Sequence, residues 1–458
     1  PLNLLQLAST LIKDGFDVRI IDMHLESPSA HEFREMVDKA LFVGISSFTG
    51  LQSTEAIHTA RMIKNINPDI PIVWGGYHVS LWKKLAENSD MVDYAITGMG
   101  ESAILSLAKR LKNDKYPDSK IICGTLENEI PSPAMQLINL ENYICPTLIG
   151  DRVANVHTSY GCPHSCSFCA VKDCFNRKWI AKPPEQVLDE IRYLVSNHKI
   201  DGLEFSDNAP FIEPDRMLNI AYGMLKNKIN INWMSMARVD ELLNLDDSKW
   251  EVLAASGFRR VFVGIESGDD TVLRGISKNE NTNQFIEFAQ KCAKHGIIPD
   301  YSITLGYPLD PTDEIKSSFN LIRQLKKITP SGTVMFYRYT PYNPLDRLAA
   351  HVKFPTTWEH WAEPPWDTHS LTGSNSKWLT SEHQKSIHDF QVTMTCAHHR
   401  EEGVFPSGGM GRLLLYMMIP LAKYRWNNER YSNPIELRIL RRLFLELSRG
   451  GKKGTLAT

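Results

Sequence analysis

Two series of short apolar runs, each run followed by a helix-patterned stretch, constrain this 458-residue chain more than any other feature. In the first series Leu41–Ser46, Ile70–Gly75 and Val92–Thr97 are nearly continuous apolar segments, and Val18–Asp22 reads as a further strand. Leu2–Asp14 and Ser53–Asn65 carry helical periodicity among them. Continuous rather than alternating runs mark strands covered by helices on both faces, so this part predicts a doubly wound, mostly parallel sheet. Ser46, Thr49, Gly50, Gly75, Gly76, Gly98 and Gly100 follow the strand ends, the edge at which such sheets bind ligands. Small residues there let a large ligand approach the backbone, although tight turns alone would also use them.

A connector over 113–150 holds Pro117, Pro131, Pro133 and Pro146. The second series then supplies strands Val153–Ser159, Gly202–Ser206, Ile231–Met236, Arg260–Glu266, Ile297–Leu305 and Thr333–Tyr339. Between them, Phe285, Phe288, Ala289 and Cys292 share one face of a helix over Asn281–Lys294. Ile315, Phe319 and Ile322 do the same in Glu314–Ile328. Six βα units predict a partial (β/α)6 barrel of the TIM type, with chemistry at the strand C-termini. After about 345 the pattern becomes mainly helical. Trp358, Trp361 and Trp366 gather among prolines, and His398-His399 follows. These residues either pack a capping domain or shape a substrate pocket. The fold class is α/β, divided as 1–140, 151–345 and 346–458.

Composition excludes several function classes. Hydrophobic residues are 42% and charged residues 23%, which is ordinary globular usage. With 51 Lys and Arg against 53 Asp and Glu, the net charge is −2, so a nucleic-acid partner is not expected. No apolar run reaches the ~20 residues that span a bilayer, and the first residues carry no signal pattern, so the expected location is cytoplasmic. The chain begins at Pro1 rather than Met, and a leading segment is expected to be missing. A tail over 411–453 holds ten Lys and Arg (Lys452 and Lys453 among them) against three Glu. It reads as a solvated helical face or as a peripheral membrane contact.

Eight cysteines in a chain of this length make no disulfide scaffold, but three of them crowd together. Gly161-Cys162-Pro163-His164-Ser165-Cys166-Ser167-Phe168-Cys169 follows a strand directly. Thiolates spaced C-x3-C-x2-C can wrap one corner of an iron–sulfur cluster, which normally takes four cysteines. Three local ligands leave one iron open for a substrate or cosubstrate. Plain thiols or a zinc site are the alternatives, with Cys174 as a candidate fourth ligand, but structural zinc needs four closed ligands.

This motif, after the first strand of an incomplete barrel, resembles the radical S-adenosylmethionine superfamily. The resemblance implies a [4Fe-4S] cluster on Cys162, Cys166 and Cys169, with the open iron chelating S-adenosylmethionine to generate a 5′-deoxyadenosyl radical. It implies further cofactor contacts along the barrel. Asp207 lies in the second-strand segment that meets the methionine amino group. Glu266 and Ser267, in Gly264-Ile265-Glu266-Ser267-Gly268, match the ribose and methionine segment. Gly306 matches the glycine turn near adenine, and Tyr342 the sixth-strand end. Asn343-Pro344 stands where a glycine turn is usual. Arg238 is expected to pair with the cosubstrate carboxylate, Glu266 with the ribose hydroxyls, and Phe168 to pack near adenine. A surface ion pair for Arg238 and a structural carboxylate for Glu266 are the plainer readings.

The domain order is similar to the cobalamin-binding radical S-adenosylmethionine enzymes. Pro1–Ala8, Gly44–Gln52, Gly75-Gly76-Tyr77-His78 and Gly98-Met99-Gly100-Glu101 carry that similarity. It implies that cobalamin sits on the strand ends at Ser46, Thr49, Gly50, Gly75, Gly76, Gly98, Gly100 and Glu101. His24 and His78 are weak candidates for a lower cobalt ligand. Ser27 replaces the glycine of the usual histidine motif, so no protein nitrogen is expected on cobalt. Tyr301, Tyr339 and Tyr342 are candidates to line a cavity shared by both domains. The implied activity is methyl transfer to an unactivated carbon or phosphorus of a small, hydrophobic substrate. An external one-electron reductant of flavodoxin or ferredoxin type would serve it. Oxidative cyclisation, as in the anaerobic Mg-protoporphyrin monomethyl ester cyclases, and a non-catalytic cobalamin sensor are the alternatives.

Overall fold

The computed structural model describes residues 1–125, 129–350, 352–367, 378–399 and 408–449. The chain forms two compact units. One comprises Pro1–Val261, Ile276–Lys278 and Thr340–Ser376, the other Phe262–Gly275, Asn279–Tyr339 and Lys377–Thr458.

In the first unit, β1 (Val43–Ser46), β2 (Ile72–Gly75), β3 (Tyr94–Thr97) and β4 (Ile121–Cys123) form a parallel sheet in chain order. Helix Leu51–Ile66 covers it with Ile57, Ala60 and Ile63, and helix Glu101–Lys112 with Ile104, Leu107 and Leu111. Two features correct the sequence reading. Val18–Asp22 joins no ladder among the described residues. A strand needs a neighbouring backbone to pair with; here Val18 packs on the Leu11 cluster and Ile21 on the Ile57 cluster, and Asp22 O accepts from Leu25 N and Glu26 N in a local turn. β4 lies inside the presumed connector; its apolar run is too short to show a period.

Trp358, Trp361 and Trp366 enter this unit's core beside Trp74 and Trp82. Trp358 meets Trp74 edge-on at 5.2 Å, and Trp361 meets Trp82 at 5.0 Å. The tryptophan cluster is therefore packing for the N-terminal sheet.

The six predicted barrel strands are all present, the first three pairing in parallel in the first unit and the last two in the second. They are β6 (Gly150–Val156), β9 (Gly202–Phe205), β10 (Asn232–Ala237), β11 (Phe258–Glu266), β12 (Ile298–Leu305) and β13 (Thr333–Arg338). β5 (Cys145–Thr147) adds antiparallel to β6. The first barrel strand stops at Val156, short of the predicted Ser159. Ser159–Gly161 is a separate strand, β7, paired with β8 (Trp179–Ala181). The buried Asp207 carboxylate causes the break: it accepts from Thr158 N at 2.6 Å, from Thr158 Oγ1 and from Ser159 Oγ at 2.7 Å.

In the second unit, helices Thr282–His295 and Pro311–Ile328 bury the predicted faces. Phe390 of helix Ser381–Ala397 stacks on Phe319 at 3.8 Å. Helices Gly408–Asn427 and Ile435–Arg449 pack beyond it, and Lys452 and Lys453 lie outside the described residues. His398 meets Trp426 edge-on at 5.1 Å in the same packing. Among the described residues no helix is long and apolar enough to cross a membrane.

Candidate functional site

Gly161 turns the chain out of β7 with φ +81°, and a Cβ there would stand 2.1 Å from the Lys178 carbonyl oxygen, so the residue must be glycine. The loop that follows is braced at several points. His164 Nε2 pairs with Glu241 Oε1 at 2.9 Å, and Ser167 N donates to the Ile276 carbonyl at 2.9 Å. Cys166 is buried, while Cys162 and Cys169 are half-buried. Burial pushes the Cys162 thiol up, the neighbouring Cys166 adds to this, and Arg238 opposes it. A bound metal reverses that balance, because ligation requires the thiolate.

Among the described residues no three His, Cys, Asp or Glu side chains converge as one metal ion would require. A cluster takes its thiolates on separate irons, and three cysteines on one braced loop fit that donor set. Cys174 sits in the short helix Val171–Cys174, with its Sγ 3.9 Å from the Tyr77 carbonyl. Burial pushes its thiol up to about 12.

Arg238, at the end of β10, donates to Asp240 at 3.0 and 2.9 Å and to the Lys278 carbonyl at 2.8 Å. Its Nη1 lies 3.6 Å from Cys166 Sγ. The guanidinium thus braces the cysteine loop, and its fork faces Asp240. Phe168 is half-buried within that loop. The Tyr342 ring lies 6.5 Å from Phe48, and its hydroxyl is raised by burial and by the nearby Cys169 and Cys174. Asn343 replaces the usual glycine because its Nδ2 donates to Asp173 Oδ2 at 2.6 Å, which fixes that turn through a side chain.

A cavity of about 360 Å³ in the first unit is lined by Ser159 and Tyr160, which precede this loop, and by Cys174 and Phe175, which follow it. The N-terminal strand ends give it Ser46, Gly75, Gly76, Gly98, Gly100 and Glu101; the barrel gives it His157, Ser159, Ser206 and Asn208. Strand ends of both folds therefore face one space. Gly76 has φ +96°, and a Cβ there would meet Ser47 O at 2.4 Å; at Gly98, with φ +77°, it would meet Gly124 O at 3.1 Å. The floor is bare backbone, the shape a large flat cofactor needs. Tyr301 and Tyr339 are not among the lining residues; both are buried residues of the second unit.

Thr49 and Gly50 stand outside the lining. Gly50 precedes helix Leu51–Ile66, and Thr49 Oγ1 pairs with His78 Nδ1 at 3.0 Å. His78 is fully buried against Trp358 and Trp361, and burial pushes it down to about 3. His24 is exposed. His157 is the histidine among the described lining residues, with its Nδ1 3.0 Å from Tyr160 Oη. Its pKa is lowered, chiefly by burial, although Asp207 opposes this. Sequence reasoning missed it by placing it inside a strand.

In the second unit, Glu266 ends β11 with φ +58°, a conformation that costs an ordinary residue of order 1 kcal/mol and is a common mark of functional sites. Its Oε2 accepts from Thr304 Oγ1 at 3.1 Å. Ser267 and Gly306 are tied together by a residue the sequence reading placed only as a helix start. The Glu314 carboxylate accepts from Ser267 Oγ at 3.2 Å, Gly306 N at 3.0 Å and Ser318 Oγ at 2.8 Å. Burial pushes Glu314 up to about 7 against those three donors.

Comparison with known proteins follows the same division. The B12 binding domain matches residues 1–108, and the Radical SAM superfamily matches residues 156–322. An uncharacterized methyltransferase of Pyrococcus horikoshii is 25% identical over 344 residues, 71% of this chain and 73% of its own. The anaerobic magnesium-protoporphyrin IX monomethyl ester cyclase of Rubrivivax gelatinosus is 24% identical over 340 residues, 69% of this chain and 60% of its own. The chain thus spans less than two thirds of that relative. Among solved structures, the radical S-adenosylmethionine methyltransferase TsrM of Kitasatospora setae, with cobalamin and a [4Fe-4S] cluster bound, superposes with a TM-score of 0.61 at 16% identity. That match covers 78% of this chain and 73% of the other, and it speaks for the fold.

Proposed function

We propose that this chain, a member of the cobalamin-binding radical S-adenosylmethionine enzymes, is a methyltransferase whose cofactors meet at the cavity between its N-terminal sheet and the first barrel strands. The observation that carries this reading is the cavity itself: strand-end glycines on one wall, Gly76 and Gly98 among them with positive φ and backbone where a Cβ would stand, and barrel strand ends on the other. Cys162, Cys166 and Cys169 would hold the cluster, and Gly75, Gly76, Gly98 and Gly100 would floor the cobalamin. When bound, the cluster would supply the electron and cobalamin the methyl-carrying chemistry, so the difficult steps would belong to the cofactors.

The chain's own residues position and shield. Arg238 and the His164–Glu241 pair fix the cysteine loop. Asp207 fixes the Thr158–Ser159 turn at the cavity mouth. Glu266 would accept from the ribose hydroxyls, and Glu314, which holds the Ser267 and Gly306 turns, would help to frame the cosubstrate. Tyr77, Phe48 and Phe175 keep the cavity wall apolar and exclude water. The substrate is a small molecule, hydrophobic in the reading that the apolar wall favours, and a flavodoxin or ferredoxin would supply the electron.

Methyl-labelled S-adenosylmethionine tests the reading. With the reconstituted enzyme and a reductant, a product bearing the labelled methyl is expected, together with 5′-deoxyadenosine. A product that has lost hydrogen and gained no label would assign oxidative cyclisation instead. Binding of cobalamin with no product and no deoxyadenosine would leave only a sensor.

A further inference from the structure

The carboxy-terminal helices of the second unit are apolar on the side that meets the protein and also on the side that does not. Helices Gly408–Asn427 and Ile435–Arg449 bury Leu414, Leu415, Met418, Ala422, Leu437 and Phe444. On the opposite side of the first helix, Leu413, Met417, Leu421 and Tyr424 recur at helical spacing, and Tyr416 beside them is 73% exposed. On the second helix Ile435, Ile439 and Leu443 form the same kind of line, each at least 44% exposed. An apolar face of two adjoining helices, left open to water, marks an interaction surface.

Charge selects the occupant. Residues 408–449 hold eight Lys and Arg against three Asp and Glu, and Gly408–Asn427 has no acidic residue at all. Glu436 is already held by Arg425, and Glu429 by Arg323. Lys423 is exposed, as is Arg430, whose guanidinium lies over the Tyr424 ring at 5.7 Å. A second copy on this face would set like charges together, which an interface penalises. An apolar strip with exposed tyrosines and a basic surround instead suits the headgroup zone of an anionic bilayer. We propose that these two helices dock the enzyme on an anionic phospholipid surface, lying in it without crossing it. The inference goes beyond the methyl-transfer reading and does not depend on it.

Flotation of the full chain with phosphatidylcholine vesicles, with and without phosphatidylglycerol, tests the proposal. Capture by the anionic vesicles alone, falling as salt rises, is expected. Lys423→Ala with Arg430→Ala should lower partitioning on the order of 30-fold, the equivalent of about 1 kcal/mol for each basic residue at such a surface. Leu421→Glu with Ile439→Glu should abolish it, and since both side chains face water, the melting curve should not move. Failure of the wild type to float with anionic vesicles overturns the proposal, and so does equal capture of wild type and the Glu variant. A dimer in sedimentation velocity that the Glu variant abolishes, without vesicle capture, also overturns it and gives the face to a second copy.

Discussion

Replacing Glu314 with Gln should make the second unit more stable at alkaline pH and leave it nearly unchanged below about pH 4. The carboxyl is fully buried, and burial carries it from the usual 4.5 to about 7. A native group that keeps a proton the unfolded chain has released favours folding only below the unfolded value. That advantage is lost as pH rises from 4.5 and is gone above about 7. The change corresponds to about 3 kcal/mol, since tenfold in proton affinity is worth about 1.4 kcal/mol. Gln keeps the shape, and its amide oxygen can still accept from Gly306 N. Its NH2 can donate to the Ser267 and Ser318 hydroxyls, which turn to accept.

Hydrogen exchange of the amides in helix Pro311–Ile328, corrected for intrinsic rates, is the assay. Above pH 8 the variant should be protected about 100-fold more than the wild type, the ratio that about 3 kcal/mol implies. Below about pH 4 the two should coincide, and at pH 5 they should differ by only a few-fold. Glu314→Ala should lose protection at every pH, because each abandoned donor costs about 1–3 kcal/mol. If Glu314→Gln is the less protected protein at pH 8, the three donors outweigh burial, the carboxylate is ionised in the native state, and the reasoning fails.

Four further outcomes are expected. Replacing Cys162, Cys166 and Cys169 together with Ala should abolish the iron–sulfur absorbance after anaerobic reconstitution, and iron retained by that variant would refute the ligand assignment. Gly76→Val should abolish cobalamin co-elution, because its Cβ would stand 2.4 Å from Ser47 O in a left-handed conformation; unchanged binding would remove cobalamin from this wall. Glu266→Ala should weaken S-adenosylmethionine binding by ~1.5–3 kcal/mol in equilibrium dialysis, and unchanged binding would make it a structural carboxylate. Arg238→Ala should alter the cluster's electron paramagnetic resonance through its lost contact with Cys166, whereas Glu266→Ala should not. In the cob(II)alamin state no nitrogen splitting is expected from His24 or His78, since one is exposed and the other is sealed between tryptophans; splitting lost in His157→Ala would place that residue on cobalt.

Patterns that depend on one element alone were legible. Phe285, Phe288, Ala289 and Cys292 share a buried face because helical spacing and burial say the same thing. The cysteine loop was legible for a like reason: its three cysteines are local in sequence. Val18–Asp22 failed because a strand is a relation between two backbones, and the run itself does not say whether a partner is present. The Trp358–Trp366 cluster could be read as buried aromatics, but which sheet buries them is a contact across nearly 300 residues that no local pattern records.

The candidate site divides along the same line. Bare-backbone positions such as Gly76 and Gly98 show themselves, since glycine after a strand has few other uses. Polar residues with long side chains do not, because their partners decide their role. Arg238 looks like a carboxylate receptor in sequence. Its fork instead faces Asp240 two residues on, and that near neighbour makes it a brace for Cys166. Thr49 looks like part of the ligand floor, but its hydroxyl turns inward to His78. Glu314 follows Pro311 like any first-turn acid, which is stabilising there on helix-dipole grounds alone. Only the closing of the Gly306 and Ser267 turns onto its carboxylate makes it a clamp. The general step is that short-range chemistry announces the cofactors, whereas the residues that aim and hold them are set by tertiary pairing, and there sequence inference gives way to geometry.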